Sequence, residues 1–211
     1  MLRLTLACCM CQLLVLLGVG WAAEPATDDE ATTDNAVAAT VDADTPVPGL
    51  PKTMEEFEAR VAEQALDVKK AAKLWFDAVF VYLTVDKELG AKMITVMTKD
   101  KEWAKKSYFM AALKEKPYIF GSYAKGTSPA NNYEMDPNKY ELAIQKLERK
   151  PYADKEQDAY IKMFIKSSGA DSSRPMVFQR NIRGEYKVFE FSSIYVGIRP
   201  PQTVSDAKDD F

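Results

Sequence analysis

Tyr160–Pro201 reads YIKMFIKSSGADSSRPMVFQRNIRGEYKVFEFSSIYVGIRPP, and it carries the signatures of three antiparallel strands. Over 159–166, Ala159, Ile161, Met163 and Ile165 alternate with Tyr160, Lys162, Phe164 and Lys166. A period of two marks a strand with one buried face. Met176–Arg180 and Tyr186–Phe191 are two further runs rich in β-branched and aromatic residues. Between them, Asn181-Ile182-Arg183-Gly184 offers a turn-starting side chain and a glycine that tolerates positive φ, so a short hairpin loop with a bulge is expected. Ser167–Pro175 is made of turn formers, and Pro175, lacking an N–H, belongs at the start of a strand or on an edge.

Upstream, the pattern changes to helical spacing. Thr53-Met54-Glu55-Glu56 is a capping box, followed by Met54, Phe57 and Val61 on one face. A second helix is expected from Asp67 to Thr84, with Ala71, Ala72, Trp75, Phe76, Val79, Phe80 and Leu83 inward. Asp86 is placed to cap a third helix, Lys87–Thr98, with Leu89, Met93, Val96 and Met97 inward, and Asp100 a fourth that runs to Lys114 before Pro117 ends it. On that fourth helix Trp103, Ser107 and Met110 share one face, and Phe109 and Leu113 share another. Met93, Met97 and Met110 read as core filler rather than ligands. Tyr140, Leu142 and Ile144 alternate with polar or small neighbours and suggest a first strand, although Leu142–Arg149 can also be drawn as a helical turn. The fold class is therefore α+β: N-terminal helices packed on a C-terminal antiparallel sheet of three or four strands.

The composition, 47% apolar and 28% charged over 211 residues, is that of one globular domain with extensions. Arg3, the apolar run Leu4–Trp21 and the small residues at Gly20 and Ala22 form the pattern of an export signal over 1–22, cut after Ala22 or Ala23. The alternative is an uncleaved anchor, which would be the chain's only contact with a membrane. Cys8 does not make a lipidation site, because it precedes the apolar stretch instead of ending it. Residues 23–52 form a spacer: over 24–51 there are seven acids and no base among small residues and prolines, the composition of a disordered segment. The globular domain is expected over 53–202, with a tail over 203–211. Once Arg3 and those acids are set aside, residues 52–211 hold 27 basic and 24 acidic side chains, a net +3, which is too small an excess to argue for nucleic acid.

The chain has no histidine, and its cysteines are Cys8, Cys9 and Cys11, all within the expected signal. A processed chain would have no imidazole base, no thiol nucleophile, no disulfide and no Cys/His metal site. The motifs of serine hydrolases, P-loop proteins, zinc proteases and dinucleotide enzymes are absent from the sequence. No cofactor is called for, and an enzyme is disfavoured. Two groups of candidate binding residues stand out. In the long connection 117–137, Tyr123, Lys125, Asn131, Asn132 and Tyr133, together with Tyr118, either border a pocket or pin the loop. On the sheet, Lys162 and Lys166 share a face with Tyr160 and Phe164, and with Arg180 across the hairpin they would make a basic stripe for an anion; the alternative is a solvated sheet face. Among carboxylates, Asp77 is the candidate for chemistry, unless it faces water beside Lys73.

The phrases Lys116-Pro117-Tyr118, Gly126–Tyr133, Lys166–Pro175, Phe191–Ile194 and Val196–Pro201 resemble an uncharacterised bacterial domain family across 53–201. That resemblance implies an exported or envelope protein and carries over no catalytic residue. The order of helices then long strands is also similar to NTF2-like α+β rolls. The resulting expectation is an exported, non-catalytic domain that binds a protein or small ligand through a cleft between helices and sheet; the alternative is an NTF2-like ligand pocket or enzyme working through carboxylate and tyrosine.

Overall fold

The computed structural model describes residues 49–152 and 155–204, with the backbone alone described between 149 and 159. The expected signal, nearly all of the acidic spacer and the tail beyond 204 lie outside the described residues. Packing begins before the expected boundary at 53. Leu50 is buried, its N–H donates to Asn138 Oδ1 at 2.9 Å, and Arg60 Nη1 donates to the Gly49 carbonyl at 2.6 Å.

Helix α1 spans Met54–Gln64. Thr53 Oγ1 accepts from Glu56 N–H at 3.2 Å, while the Glu56 carboxylate reaches back past Thr53 to accept from Lys52 N–H at 2.8 Å. Helix α2, Val68–Thr84, starts behind Asp67, whose Oδ1 accepts from the N–H groups of Lys69 and Lys70 at 2.8 and 2.9 Å. Its expected apolar face is buried except for the partly exposed Leu83, and Leu74, Ala78 and Val81 are buried too, so α2 is enclosed on most sides. Helix α3, Lys87–Met97, is capped by Asp86, which accepts from Leu89 N–H at 2.8 Å. A Cβ at Gly90 would collide with the backbone of Tyr82, which is how closely α3 lies on α2.

The expected fourth helix is split. Asp100 Oδ1 takes Glu102 N–H at 2.8 Å and starts a short 3-10 turn over Trp103–Lys105. Lys106 is then extended (ψ 96°), and α4 runs over Ser107–Glu115. The break lets both Trp103 and Phe109 turn inward, 5.7 Å apart and edge to face. The buried face of α4 is Phe109, Ala112 and Leu113; Ser107 is exposed. Pro117 then leads directly into a single turn, α5, Tyr118–Gly121, a place where its missing N–H costs nothing.

The sheet has four antiparallel strands in chain order: β1 Ile144–Tyr152, β2 Lys155–Ile165, β3 Arg174–Arg180 and β4 Tyr186–Glu190. The expected first strand begins later than the alternation at Tyr140–Ile144 indicates. Tyr140 and Leu142 are buried, but Leu142 makes only an isolated bridge to Ala124, and continuous pairing starts at Ile144. In the β3–β4 hairpin, Asn181 Oδ1 accepts from Arg183 and Glu185 N–H at 2.9 and 3.0 Å, and Gly184 takes φ 81°. A register shift lies further along that pairing, at Val177/Phe178. Pro175 is the second residue of β3.

Ile161, Met163, Ile165, Met176, Phe178, Tyr186 and Val188 are buried, giving the sheet one apolar face. There the helices meet it in a knot of rings. Trp75 lies 5.2 Å from Phe76, 6.0 Å from Phe109 and 5.3 Å from Phe191, which follows β4. Such ring pairs add to the large apolar area each ring buries. Met93 and Met97 fill space around them, and Met110 is half-buried.

Candidate functional site

Four of the candidates in the long connection hold the loop in place. Tyr123 is fully buried, its hydroxyl donating to the Ile194 carbonyl at 2.7 Å, and burial pushes its pKa upward. Tyr133 is buried with positive φ (58°) and donates to the Arg199 carbonyl at 2.9 Å while stacking on Tyr118. Asn131 closes a reciprocal cap with Ser128 around the turn Pro129–Asn131. Asn132 takes the left-handed conformation and accepts from the Thr203 hydroxyl at 3.0 Å. These hydrogen bonds are the ones the pinning role requires.

The sheet candidates separate. Pairing sets Lys162 opposite Val177 and Ile161 opposite the buried Phe178, so Arg180 has the parity of Phe178 and not of Lys162. Arg180 lies against the ring of Tyr186 at 4.8 Å, and Lys162 lies over Phe164 at 5.2 Å on the other face. The Lys162–Lys166–Arg180 stripe is therefore not a single surface.

Lys166 and Lys125, nominated from different segments, line one cleft of about 230 Å³ together with Ser122, Ala124, Gly126, Thr127, Ala143 and Ser168. The turn after α5 brings Lys125 there: Lys125 N–H donates to the Glu141 carbonyl at 2.9 Å. The end of β2 brings Lys166: its N–H donates to the Ala143 carbonyl at 2.8 Å. The two walls are tied by hydroxyls. Ser122 Oγ donates to the Ile119 carbonyl at 2.6 Å and lies 2.7 Å from Ser167 Oγ, both buried. Thr127 Oγ1 donates to the Ala124 carbonyl at 2.8 Å and lies 3.1 Å from Ser168 Oγ, which also reaches the Ser122 carbonyl at 3.1 Å. Lys125 Nζ pairs with Glu141 at 2.6 Å on the surface. Sequence reading took Ser167 and Ser168 as turn formers and passed over Ser122 and Thr127. Bonds spanning 41 to 46 residues leave no local signal.

A family model described as a domain of unknown function, DUF6935, matches residues 49–202. The chain belongs to that family. The matched DUF6935 segment takes in α1–α5, β1–β4 and both lysines of the cleft. Comparison with curated proteins and with solved structures gave no match, and the similarity to NTF2-like rolls is not confirmed.

The carboxylate candidate of the DUF6935 domain, Asp77, is buried. Its Oδ1 accepts from Lys73 Nζ at 2.5 Å and from the Tyr140 hydroxyl at 2.8 Å, and Lys73 Nζ sits 3.9 Å over the Tyr140 ring. Burial raises the Asp77 pKa against the opposing pull of Lys73, and raises that of Tyr140 well above its ordinary value. The arrangement ties the approach to β1 onto α2. Among the described residues no group of three or more His, Cys, Asp or Glu is placed to hold a metal ion, and no helix is long and apolar enough to cross a membrane. The cleft lining contains no carboxylate, so its chemistry is hydrogen bonding and positive charge.

Proposed function

We propose that this domain is a non-catalytic binding module that works outside the cytoplasm and takes a small ligand in the Lys125–Lys166 cleft. The observation that carries the reading is convergence: two lysines from distant segments border one opening whose walls are joined by hydroxyls. Recognition suits this lining better than turnover. Ser122 and Thr127 commit their protons to carbonyls, and the chain has no histidine to take a proton from Ser168. The test is a screen of small neutral and charged molecules read by amide shifts on the full chain. Hits should cluster at Gly126, Thr127 and Ser168; hits confined to other surfaces would defeat the reading. The location rests on the signal pattern at 1–22. N-terminal sequencing of the protein from fractionated bacterial cells should find a start at Ala23 or Glu24 outside the cytoplasm, and a cytoplasmic chain still beginning at Met1 would count against it.

A second reading, a protein partner, is favoured by α4. Tyr108 is 81% exposed, and grooves of about 540 and 510 Å³ flank the helix, with Ala111 and Glu115 lining both. Large exposed apolar side chains beside grooves are what partner surfaces offer. Ala111→Arg would obstruct both grooves, and a partner that still bound this variant would remove the support for that reading.

A further inference from the structure

We propose that the cleft binds a small oxyanion, the group presented by phosphate, sulfate or a carboxylate. This rests on the small-ligand reading above and adds the chemical class. Lys125 and Lys166 border the cleft and no carboxylate lines it. Lys166 makes no ion pair among the described residues, and the partner of Lys125, Glu141, stands outside the lining. That pair is exposed on both sides, 61% and 66%, and exposed pairs of this kind are weak, so an arriving anion can share Lys125 at little cost.

The hydroxyl protons of the cleft have definite destinations. Ser122 gives its hydroxyl proton to the Ile119 carbonyl at 2.6 Å, and Thr127 gives its proton to the Ala124 carbonyl at 2.8 Å. Ser168 has only long contacts, 3.1 Å to the Ser122 carbonyl and 3.1 Å to Thr127 Oγ1, so its proton is the one open to a better acceptor. The Ser122 carbonyl already accepts from the Ser168 N–H at 2.8 Å, and the Ala124 carbonyl from Thr127. What the cleft offers is donors: the Lys166 ammonium, the Ser168 hydroxyl and the ammonium that Lys125 shares with Glu141. That inventory suits an acceptor-only ligand and repels a cation.

At about 230 Å³ the cleft is smaller than the roughly 300–1,000 Å³ of pockets that enclose drug-sized ligands. It fits a free anion, or the acidic head of a larger molecule whose body stays outside.

The experiment is an amide-resolved titration of the full chain at constant ionic strength in chloride, run separately with inorganic phosphate, sulfate, acetate and neutral glucose. Constant salt removes general screening from the comparison. At least one oxyanion should shift Gly126, Thr127 and Ser168 saturably, with phosphate or sulfate against acetate separating inorganic from carboxylate ligands. Binding should weaken tenfold or more in Lys166→Ala and largely return in Lys166→Arg. Both substitutions fall just beyond β2 on an exposed side chain, so they leave the core intact. Silence of the cleft toward all three oxyanions, saturation at another surface, or indifference to Lys166→Ala overturns the inference. Glucose acting on the same amides while the oxyanions do not would overturn the anion class and leave the small-ligand reading standing. That reading falls separately if the broader screen also misses the cleft.

Discussion

Asp77 accepts two hydrogen bonds on one oxygen, from Lys73 and Tyr140, yet burial still raises its pKa. A carboxyl whose folded pKa lies above its unfolded value contributes stability that is fully present below the ordinary carboxylate value and is lost as pH rises through the folded one. Glu185 has the opposite sign. Burial pushes its pKa up, but Asn181, Lys187 and Arg183 outweigh that and hold it below its usual value. Its contribution is present above the ordinary carboxylate pKa and disappears as pH falls through the depressed one. Urea unfolding across pH should therefore separate the two. Relative to wild type, Glu185→Gln should lose stability at neutral pH and converge with it in acid, while Asp77→Asn should fare comparatively worse in acid than at neutral pH. Parallel pH profiles for the two variants would contradict both assignments. Tyr140→Phe strands part of a buried acceptor and should cost about 1–3 kcal/mol by the same measurement. At this scale the sequence made Lys125, Lys166 and Asp77 visible because charge in an unusual setting is visible. It hid Ser122, Thr127 and Ser168 because a serine's role depends on what the fold brings opposite it.

The helix starts were the most legible elements. Thr53 and Asp86 accept the N–H groups that their spacing implies, because a cap is a contract between residues two or three apart. Asp86→Ala should cost about 1 kcal/mol in chemical denaturation. Two elements were misread, for the same reason. The Tyr140–Ile144 alternation reflects burial with a single bridge, Leu142 to Ala124, ahead of the continuous pairing of β1: Tyr140 packs edge to face on Phe80 of α2 at 4.9 Å. The fourth helix, expected unbroken from Asp100 to Lys114, has two competing apolar faces, and the structure breaks it at Lys106, where both Trp103 and Phe109 become buried. Where a residue packs across elements, local periodicity reports burial and not backbone geometry. Gly90 offers a sharp test of the α2–α3 contact. Adding one methyl, Gly90→Ala, gains helix propensity but drives the helices apart, and net destabilisation of about 1–3 kcal/mol is expected. A thermal midpoint equal to or above that of wild type would mean that the helices do not approach so closely.

Over the whole molecule, the ring knot joins α2, α4, α5 and the turn after β4, so helices and sheet share one core. Trp75→Ala should remove about 3–5 kcal/mol, and in the wild type far-UV dichroism and tryptophan emission should report one coincident unfolding transition. Two separated transitions would show that the halves are held together more loosely than the rings imply. The general plan, helices first and an antiparallel sheet after, was legible because the period of the apolar residues changes along the chain. The cleft was not, because it lies where a loop and a strand end meet.

The two borders of the sheet are unlike. Along β4, the Tyr186 N–H donates to the Ala65 carbonyl at 2.7 Å and the Val188 carbonyl accepts from Lys99 N–H at 2.8 Å, so that border is already occupied by the chain's own backbone. Along β1, nothing among the described residues pairs with the outer border. Among the described residues, then, strand addition has one border to use, and two copies joined through it would leave no second such border for further growth.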